Sequence, residues 1–432
     1  MTQILMQSFR KSRLDFLLRA RYQISIGILV AIIIPAFVQG MFTDISLNRF
    51  VQVNTVIGGT MALIIGYISY RRIHVFPGIV SGGYIITAFT ITFSILAVTF
   101  IMLRIDYTRM QLLSSYLLTL VTFTYMHLRY SAHRPLLLGV IPSDGVSSLP
   151  NAGRVVWHYI SDPEASPPAL HGVVVDLNAD HSAEWNARIA DFALSGTPVY
   201  HYKEVIEQIT GRVEIEHLSE NTLGSLNPSD LYLEIKGVID VVIAAIALIV
   251  LAPALLIVAV VVRLDSPGPS LYRQQRTGFR AQPFTAYKFR TMRVAASQEN
   301  LSDAEARKSA MTSDRDSRIT RVGAFLRRTR IDELPQLFNM LKGEMSMIGP
   351  RPEAMVLTKW YEKEIPFYHY RHIIKPGLTG WAQVNQGHVT EVDDIREKLN
   401  LDFYYVKNFS FWLDILITIR TIQTIITGSG AR

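Results

Sequence analysis

The chain has 432 residues and no cysteine. Disulfides, thiolate metal sites and a cysteine nucleophile are therefore excluded, although this absence assigns no redox compartment by itself. Other signatures are missing too. No GxGxxG follows an expected strand, so dinucleotide binding has no support. There is no HExxH or HxH, and His369 and His372 read as surface or packing residues rather than metal ligands. No GxSxG, P-loop or protein-kinase set occurs. Charge is sparse: 18% of residues are Asp, Glu, Lys or Arg, whereas 49% are hydrophobic, and mean hydropathy is +0.22. That balance is high for a soluble protein and low for a pure membrane bundle. It predicts several membrane spans joined to a sizeable soluble part, in two or three domains. The net charge of +7 suits an anionic lipid surface or anionic substrates.

What is present begins with a basic N-terminus, Arg10, Lys11, Arg13, Arg19 and Arg21, ahead of an apolar run. No small-residue cleavage signal follows clearly, so the run reads as an anchor. Four hydrophobic stretches, 24–38, 53–70, 79–103 and 112–128, each approach the ~20 residues that a crossing needs. Arg71, Arg72 and His74 lie between the second and third, and Arg129 and Arg134 follow the fourth. The other two loops carry few charges: Asp44 and Arg49, then Arg104, Asp106 and Arg109. The positive-inside rule puts the N-terminus and the chain after Arg129 in the cytoplasm.

Residues 135–230 are more polar. Segments 136–141, 172–177 and 198–202 read as short strands and 183–194 as a helix, an alternation that predicts a small α/β sheet. Asp176 ends a strand and reads as a turn residue, with a ligand contact as the alternative. Asn227-Pro228-Ser229 is an expected linker. The apolar stretch 238–262 is long enough to span and contains Pro253, yet both ends are basic: Lys236 before it, and Arg263, Arg273, Arg276 and Arg280 after it. A crossing would put that arginine cluster outside, so charge favours a helix broken at Pro253 that returns on the same face, and length favours an ordinary span.

The densest chemistry lies in 327–353, RRTRIDELPQLFNMLKGEMSMIGPRPE. Asp332 and Glu333 are adjacent carboxylates at the expected start of a helix, with Pro335 in its first turn. Two readings are compatible. Asp332 caps the helix and Glu333 favours its dipole; or the pair binds Mg²⁺ beside substrate phosphates and Asp332 attacks phosphorus. Arg351, stiffened between Pro350 and Pro352, suits bidentate phosphate capture or a structural ion pair. A second basic group comprises Arg273, Arg276, Lys288, Arg290 and Arg293. Residues 294–320 are polar, with no hydrophobic period, and read as a mobile loop that closes over a substrate or as short helices. Trp381, in the glycine-rich segment 375–385, has three open roles: packing, stacking on a base, or the membrane interface. The amphipathic stretch 409–426 lies in the membrane surface or packs on its domain.

Five motifs, KFRTM at 288–292, RITRVG at 318–323, DELPQL at 332–337, MIGPRP at 347–352 and PGLTGWAQVN at 376–385, together resemble the bacterial sugar transferases. These are the monotopic polyprenyl-phosphate hexose-1-phosphate transferases, and the match covers about residues 231–432. The four spans and the α/β segment resemble the long-form members that start exopolysaccharide, capsule or O-antigen synthesis. The resemblance implies three domains. They are a four-helix transmembrane bundle over 1–134, a small Rossmann-like α/β domain over 135–230, and a mainly helical catalytic domain over 231–432 with a proline-broken re-entrant membrane helix at Pro253. It implies that a UDP-hexose, with UDP-glucose as first candidate, enters from the cytoplasm. Asp332 attacks the sugar-linked phosphate, UMP leaves, and undecaprenyl phosphate takes the sugar 1-phosphate from the enzyme. Glu333, with Asp332, matches the Mg²⁺-binding position. Arg351, Lys288, Arg290 and Arg327 match basic site positions, and Asp402 matches a further acidic one. A homodimer in the bacterial inner membrane, with its soluble domains in the cytoplasm, contact with membrane lipid and no nucleic-acid partner complete the expectation. The chain departs from the pattern at Ala252, where serine is frequent, and at Arg330-Ile331, where Ser-Leu is common. An inactive assembly scaffold and a hydrolase that admits water to the same intermediate are the competing functions.

Overall fold

The computed structural model describes residues 20–42, 49–73, 83–131, 136–143, 146, 149–150, 155–165, 167–214, 228, 230–293, 307, 316, 318–386 and 392–427. Arg10, Lys11, Arg13 and Arg19, the loop residues Asp44, His74 and Arg134, the linker residues Asn227 and Ser229, and most of 294–320 lie outside the described residues. The chain forms two compact units, Met1–Gly211 and Arg212–Arg432.

Four helical segments open the first unit. Ala20–Ile28 passes through a π-helical turn at Leu29–Ile33 into Ile34–Phe42, and Arg49–Ile73, Gly83–Met102 and Arg109–Met126 follow. They enclose an apolar core that includes Ile32, Leu63, Tyr67, Phe89 and Phe123. Their outward faces are also apolar, with Phe37, Ile57, Ile95 and Val121 exposed. A helix hydrophobic all round belongs in lipid. Three stretches, Ala20–Met41, Phe50–Arg71 and Ile85–Met102, are long and apolar enough to cross a bilayer. The fourth expected span differs. Arg109–Met126 is helical, but Gln111, Ser114, Ser115, Thr119, Thr122 and Thr124 dilute its apolar run, and Gln111, Ser115 and Thr119 are buried. The fourth helix of spanning length and composition is Asp230–Asp265, in the second unit. The chain is thus a membrane protein with four candidate spans among the described residues and further mixed domains.

The first unit ends in an all-parallel sheet of β1 (Leu136–Val140), β2 (Val155–Tyr159), β3 (Gly172–Val175) and β4 (Val199–His201), in the order β2-β1-β3-β4. Every residue of β3 is buried, as a central parallel strand requires. The Ala183–Leu194 helix starts where Ser182 accepts a hydrogen bond from the Trp185 amide. Asp176 accepts one from the Asn178 amide at 3.0 Å, the expected turn contact.

Near the start of the second unit, the Val213 amide donates to the Asn400 carbonyl at 3.0 Å. The Asp230–Asp265 helix runs without interruption through Pro253, so the expected break is not a gap in the helix. A proline removes one backbone donor and crowds one carbonyl, and a helix accommodates this by bending. Before Pro253, Ala244, Ala247, Leu248 and Leu251 join a core with Phe284, Leu337 and Met340. After it, Leu255, Val258, Ala259 and Val262 join one with Phe289, Leu326 and Ile331.

The hairpin of β5 (Leu271–Thr277) and β6 (Pro283–Phe289) and the parallel pair of β7 (Ser346–Ile348) and β8 (Gly377–Thr379) frame this unit. β7 and β8 bring two motifs into contact. A Cβ on Gly377 would stand 2.0 Å from the Gly349 nitrogen, and one on Gly380 would stand 2.2 Å from the Gly349 oxygen. Only glycine permits that approach. Trp381 is buried and stacks on Tyr404 at 5.5 Å, which answers its open role in favour of packing. The final helix, Phe411–Thr427, buries Leu413, Leu416, Ile417 and Ile419, so it packs on its domain.

Candidate active site

Three elements converge on Glu333. The Arg321–Thr329 helix ends at Arg330, which takes left-handed backbone (φ 59°) and turns the chain into a 3₁₀ turn over Ile331–Gln336. Asp332 and Glu333 sit inside this turn. Neither caps a helix through its side chain, so the capping reading of Asp332 fails and its carboxylate is left for other work. Lys288, at the end of β6, donates to Glu333 Oε1 at 2.8 Å. Arg351 donates to the same oxygen at 2.7 Å and to Oε2 at a longer 3.4 Å. Arg330 approaches Oε1 at 3.9 Å.

The two carboxylates are therefore treated unequally. Burial alone would raise the pKa of Glu333, but Arg351 and Lys288 reverse this and hold it well below the usual carboxylate range. Asp332 moves the other way. Burial and then the charge of Glu333 raise its pKa, against Lys288, Arg351 and Arg330. Asp332 is 8% exposed, and its Oδ1 has no hydrogen-bond partner among the described residues. Lys288 is lowered to about 8, by burial first and then, against Glu333, by Arg276 and Arg351. The result is a desolvated carboxylate oxygen beside a neutralised anion and two cations, an arrangement suited to attack on a phosphate.

The other expected site residues separate into two groups. Arg327 lies on the Arg321–Thr329 helix and donates from Nε to Thr291 Oγ1 at 2.9 Å. Arg290 goes elsewhere: it is buried and donates from Nη2 to the Ser266 and Val262 carbonyls at 2.6 and 3.2 Å. It satisfies the end of the Pro253 helix, where carbonyls lack intrahelical donors. Asp402 is 1% exposed and pairs with Arg371 at 2.7 Å. Pro253 itself lies between Leu251 and Leu255, which share cores with Leu337, just after the carboxylate turn, and Ile331, its first residue.

Sequence reading does not single out Arg371 or Asn339. Asn339 is fully buried, accepts from the Tyr287 amide at 3.1 Å and donates to the Thr285 carbonyl at 2.7 Å, so it fixes the strand that carries Lys288. Polar residues in aromatic or apolar runs, as in YHYRHI and LFNML, are the signal that could have found them.

No cluster of three or more His, Asp or Glu side chains suited to a metal occurs among the described residues. The donors nonetheless fit Mg²⁺, which takes one or two protein carboxylates and completes its shell with substrate phosphate and water. Asp332 Oδ1 is unpartnered and Glu333 Oε2 has the single long contact from Arg351, so each has donor capacity to spare.

A profile described as bacterial sugar transferase matches residues 231–428. An Aeromonas hydrophila protein named UDP-N-acetylgalactosamine-undecaprenyl-phosphate N-acetylgalactosaminephosphotransferase is 40% identical over 409 residues, covering 94% of this chain and 95% of its own length. Proteins named UDP-glucose:undecaprenyl-phosphate glucose-1-phosphate transferase match about half of the chain. The one from Xanthomonas campestris pv. campestris is 41% identical over 217 residues, 50% of this chain and 43% of its own. The one from Escherichia coli (strain K12) is 38% identical over 190 residues, 44% of this chain and 39% of its own.

Proposed function

The chain belongs to the bacterial sugar transferase family, as a polyprenyl-phosphate sugar-1-phosphate transferase, and from that premise we propose that it moves a sugar 1-phosphate from a UDP-sugar to undecaprenyl phosphate through a covalent enzyme intermediate. The observation that carries the mechanism is the buried, unpartnered Oδ1 of Asp332 beside the ion-paired Glu333. An Asp332 oxygen attacks the phosphorus bonded to the sugar. The bond from that phosphorus to the bridging oxygen breaks, UMP leaves with that oxygen, and the sugar phosphate stays on Asp332. An oxygen of the polyprenyl phosphate then attacks the same phosphorus, breaks its bond to Asp332 and restores the carboxylate. No net proton is gained or lost by the enzyme over the cycle.

Arg351 and Lys288 lie where the donor's phosphates approach Asp332, and Arg327 extends that basic wall. They offset the charge that develops on the transferring group. Asp332 and Glu333 would hold Mg²⁺, which when bound draws charge from the phosphate oxygens and the departing UMP. Arg290 is reassigned to the end of the membrane helix and Asp402 to a buried ion pair, so neither touches the donor in this reading.

Placement on one membrane face has a physical argument. From Lys236 to Val262 the helix rises about 39 Å, more than the ~30 Å hydrocarbon core. Both its halves pack on the same unit. An upright crossing would pull charged residues of that unit into lipid, so in this reading the helix bends at Pro253 and keeps both its ends, with the unit, on the cytoplasmic face of the inner membrane. Leu251 and Leu255 then bring the acceptor's depth in the bilayer close to the carboxylate turn.

The relative matched over nearly the whole chain names N-acetylgalactosamine, so UDP-N-acetylgalactosamine leads as donor. UDP-glucose, the first candidate from sequence, follows on the strength of the half-length relatives. The test is UMP release by purified protein with Mg²⁺, polyprenyl phosphate and a panel of UDP-sugars, with the products identified. Lipid-linked sugar phosphate supports the transferase; free sugar phosphate would establish a hydrolase; no release from folded protein would favour a scaffold.

A further inference from the structure

Arg371 is a costly residue to bury. It is 2% exposed, and each of its guanidinium nitrogens has an acceptor. Nε and Nη2 donate to Asp402 Oδ2 at 3.1 and 2.7 Å, Nη1 donates to the Tyr368 hydroxyl at 2.8 Å, and Nη2 also donates to the main-chain carbonyl of Arg351 at 3.0 Å. A buried ion pair contributes little net stability over a well-packed apolar substitute, and its better-attested use is to specify one geometry. Here the geometry specified is that of the loop 349–353.

Four consecutive carbonyls of that loop are held. Pro350 accepts from the Gly377 amide at 2.9 Å and Glu353 from the Thr277 amide at 3.2 Å. Pro352 accepts from Arg276, and Arg351 from Arg371. The buried guanidinium of Arg371 and the half-buried one of Arg276 thus fix the peptide groups on either side of Pro352, next to Arg351, whose side chain reaches Glu333. Arg371 itself makes no contact with Asp332 or Glu333 among the described residues.

Building on the transferase reading, we infer that Arg371 and Asp402 form a positioning pair that sets the Arg351 fork against Glu333 and the donor's phosphates. Asp402 fixes the Arg371 guanidinium in plane, Arg371 fixes the Arg351 carbonyl, and the side chain of Arg351 inherits the alignment. The acidic residue ahead of the paired tyrosines Tyr404 and Tyr405 therefore acts through two arginines rather than on the substrate. Lysine at 371 would keep the charge and reach one acceptor, but it has no planar fork to hold Asp402 and the carbonyl together.

The experiment is a double-mutant cycle on the full-length protein in detergent, using Arg371→Lys and Arg351→Ala and, in parallel, Asp402→Asn and Arg351→Ala. UMP release gives kcat and KM for the donor, and thermal unfolding reports the fold of each variant. Misplacement of a positioned group by about 1 Å costs about 100-fold, so each positioning variant should lose about 10- to 100-fold in kcat/KM. With Arg351 already absent, the further loss should shrink to about threefold or less, because the pair acts through Arg351. Equal losses in the presence and absence of Arg351 would overturn the inference. The Asp402 cycle decides the matter where Arg371→Lys does not fold. Thermal stabilisation by UDP, titrated on the same proteins, repeats the cycle through binding. A folded wild-type protein that binds UDP but releases no UMP would therefore retire the transferase reading while the UDP cycle still judged the positioning pair.

Discussion

Replacing Glu333 by Gln removes the anion on which Lys288 and Arg351 converge at 2.8 and 2.7 Å. At an effective dielectric of 20 each contact is about 6 kcal/mol gross. Most of that is offset by desolvation, and deleting one partner of a buried pair costs about 3–5 kcal/mol net. For a unit of this size about 2–4 °C accompanies each kcal/mol, so Tm should fall by about 6–20 °C. Intrinsic fluorescence during heating in detergent gives the measurement. High salt should leave the difference largely intact, since buried pairs are poorly screened. Arg330→Gln is the internal control. Its side chain is 49% exposed and 3.9 Å from Glu333, so its loss should be within about 0.5 kcal/mol. A Glu333→Gln protein that melts with the wild type, or an Arg330→Gln protein that falls as far, would refute the claim that Glu333 neutralises a buried cation pair.

Asn339→Ala leaves the Tyr287 amide and the Thr285 carbonyl unpaired in the interior, and should cost about 2–4 kcal/mol and lower kcat by loosening the strand under Lys288; an unchanged melting curve would count against it. Gly377→Ala must displace the Gly349 backbone, whereas Gly237→Ala meets Lys375 Nζ at a comfortable 3.7 Å, so the first should lower Tm sharply and the second should not, as parallel melts would show. His372 is buried, and burial, Arg371 and His369 lower its pKa from 6.5 to about 3. Between those values the unfolded chain binds the extra proton, so stability falls as pH drops through this window. His372→Gln should soften that acid loss by about 2 kcal/mol at pH 5, and identical pH profiles would contradict it. UMP release should stop in EDTA and return with Mg²⁺; full activity in EDTA would remove the metal from the account.

Much of the second unit was legible because its chemistry is written in contiguous motifs. Asp332, Glu333, Lys288 and Arg351 do meet, and the prolines beside Arg351 mark a rigid loop. The strands over 136–141 and 172–177 and the 183–194 helix were visible as apolar runs between turn signals. β2 was not, since VVWHY is a half-exposed edge strand with no clean alternation. Arg290 shares its motif with Lys288, yet its Nη2 turns to the Ser266 and Val262 carbonyls at the end of the Asp230–Asp265 helix, a contact 24 to 28 residues away that the motif does not announce. Arg371 was silent because its partners, Asp402 and the Arg351 carbonyl, are 31 and 20 residues away. The uninterrupted helix through Pro253 shows a further limit: proline predicts a lost hydrogen bond, and lipid-facing or packed neighbours decide whether the helix stops.

The most direct test of the covalent mechanism is the intact mass of the protein after incubation with Mg²⁺ and UDP-N-acetylgalactosamine, or UDP-glucose, without a lipid acceptor. The account predicts an added mass of one sugar phosphate, absent from Asp332→Asn and discharged when polyprenyl phosphate is supplied. An adduct that persists in Asp332→Asn, or lipid-linked product formed by that variant at the wild-type rate, would contradict it.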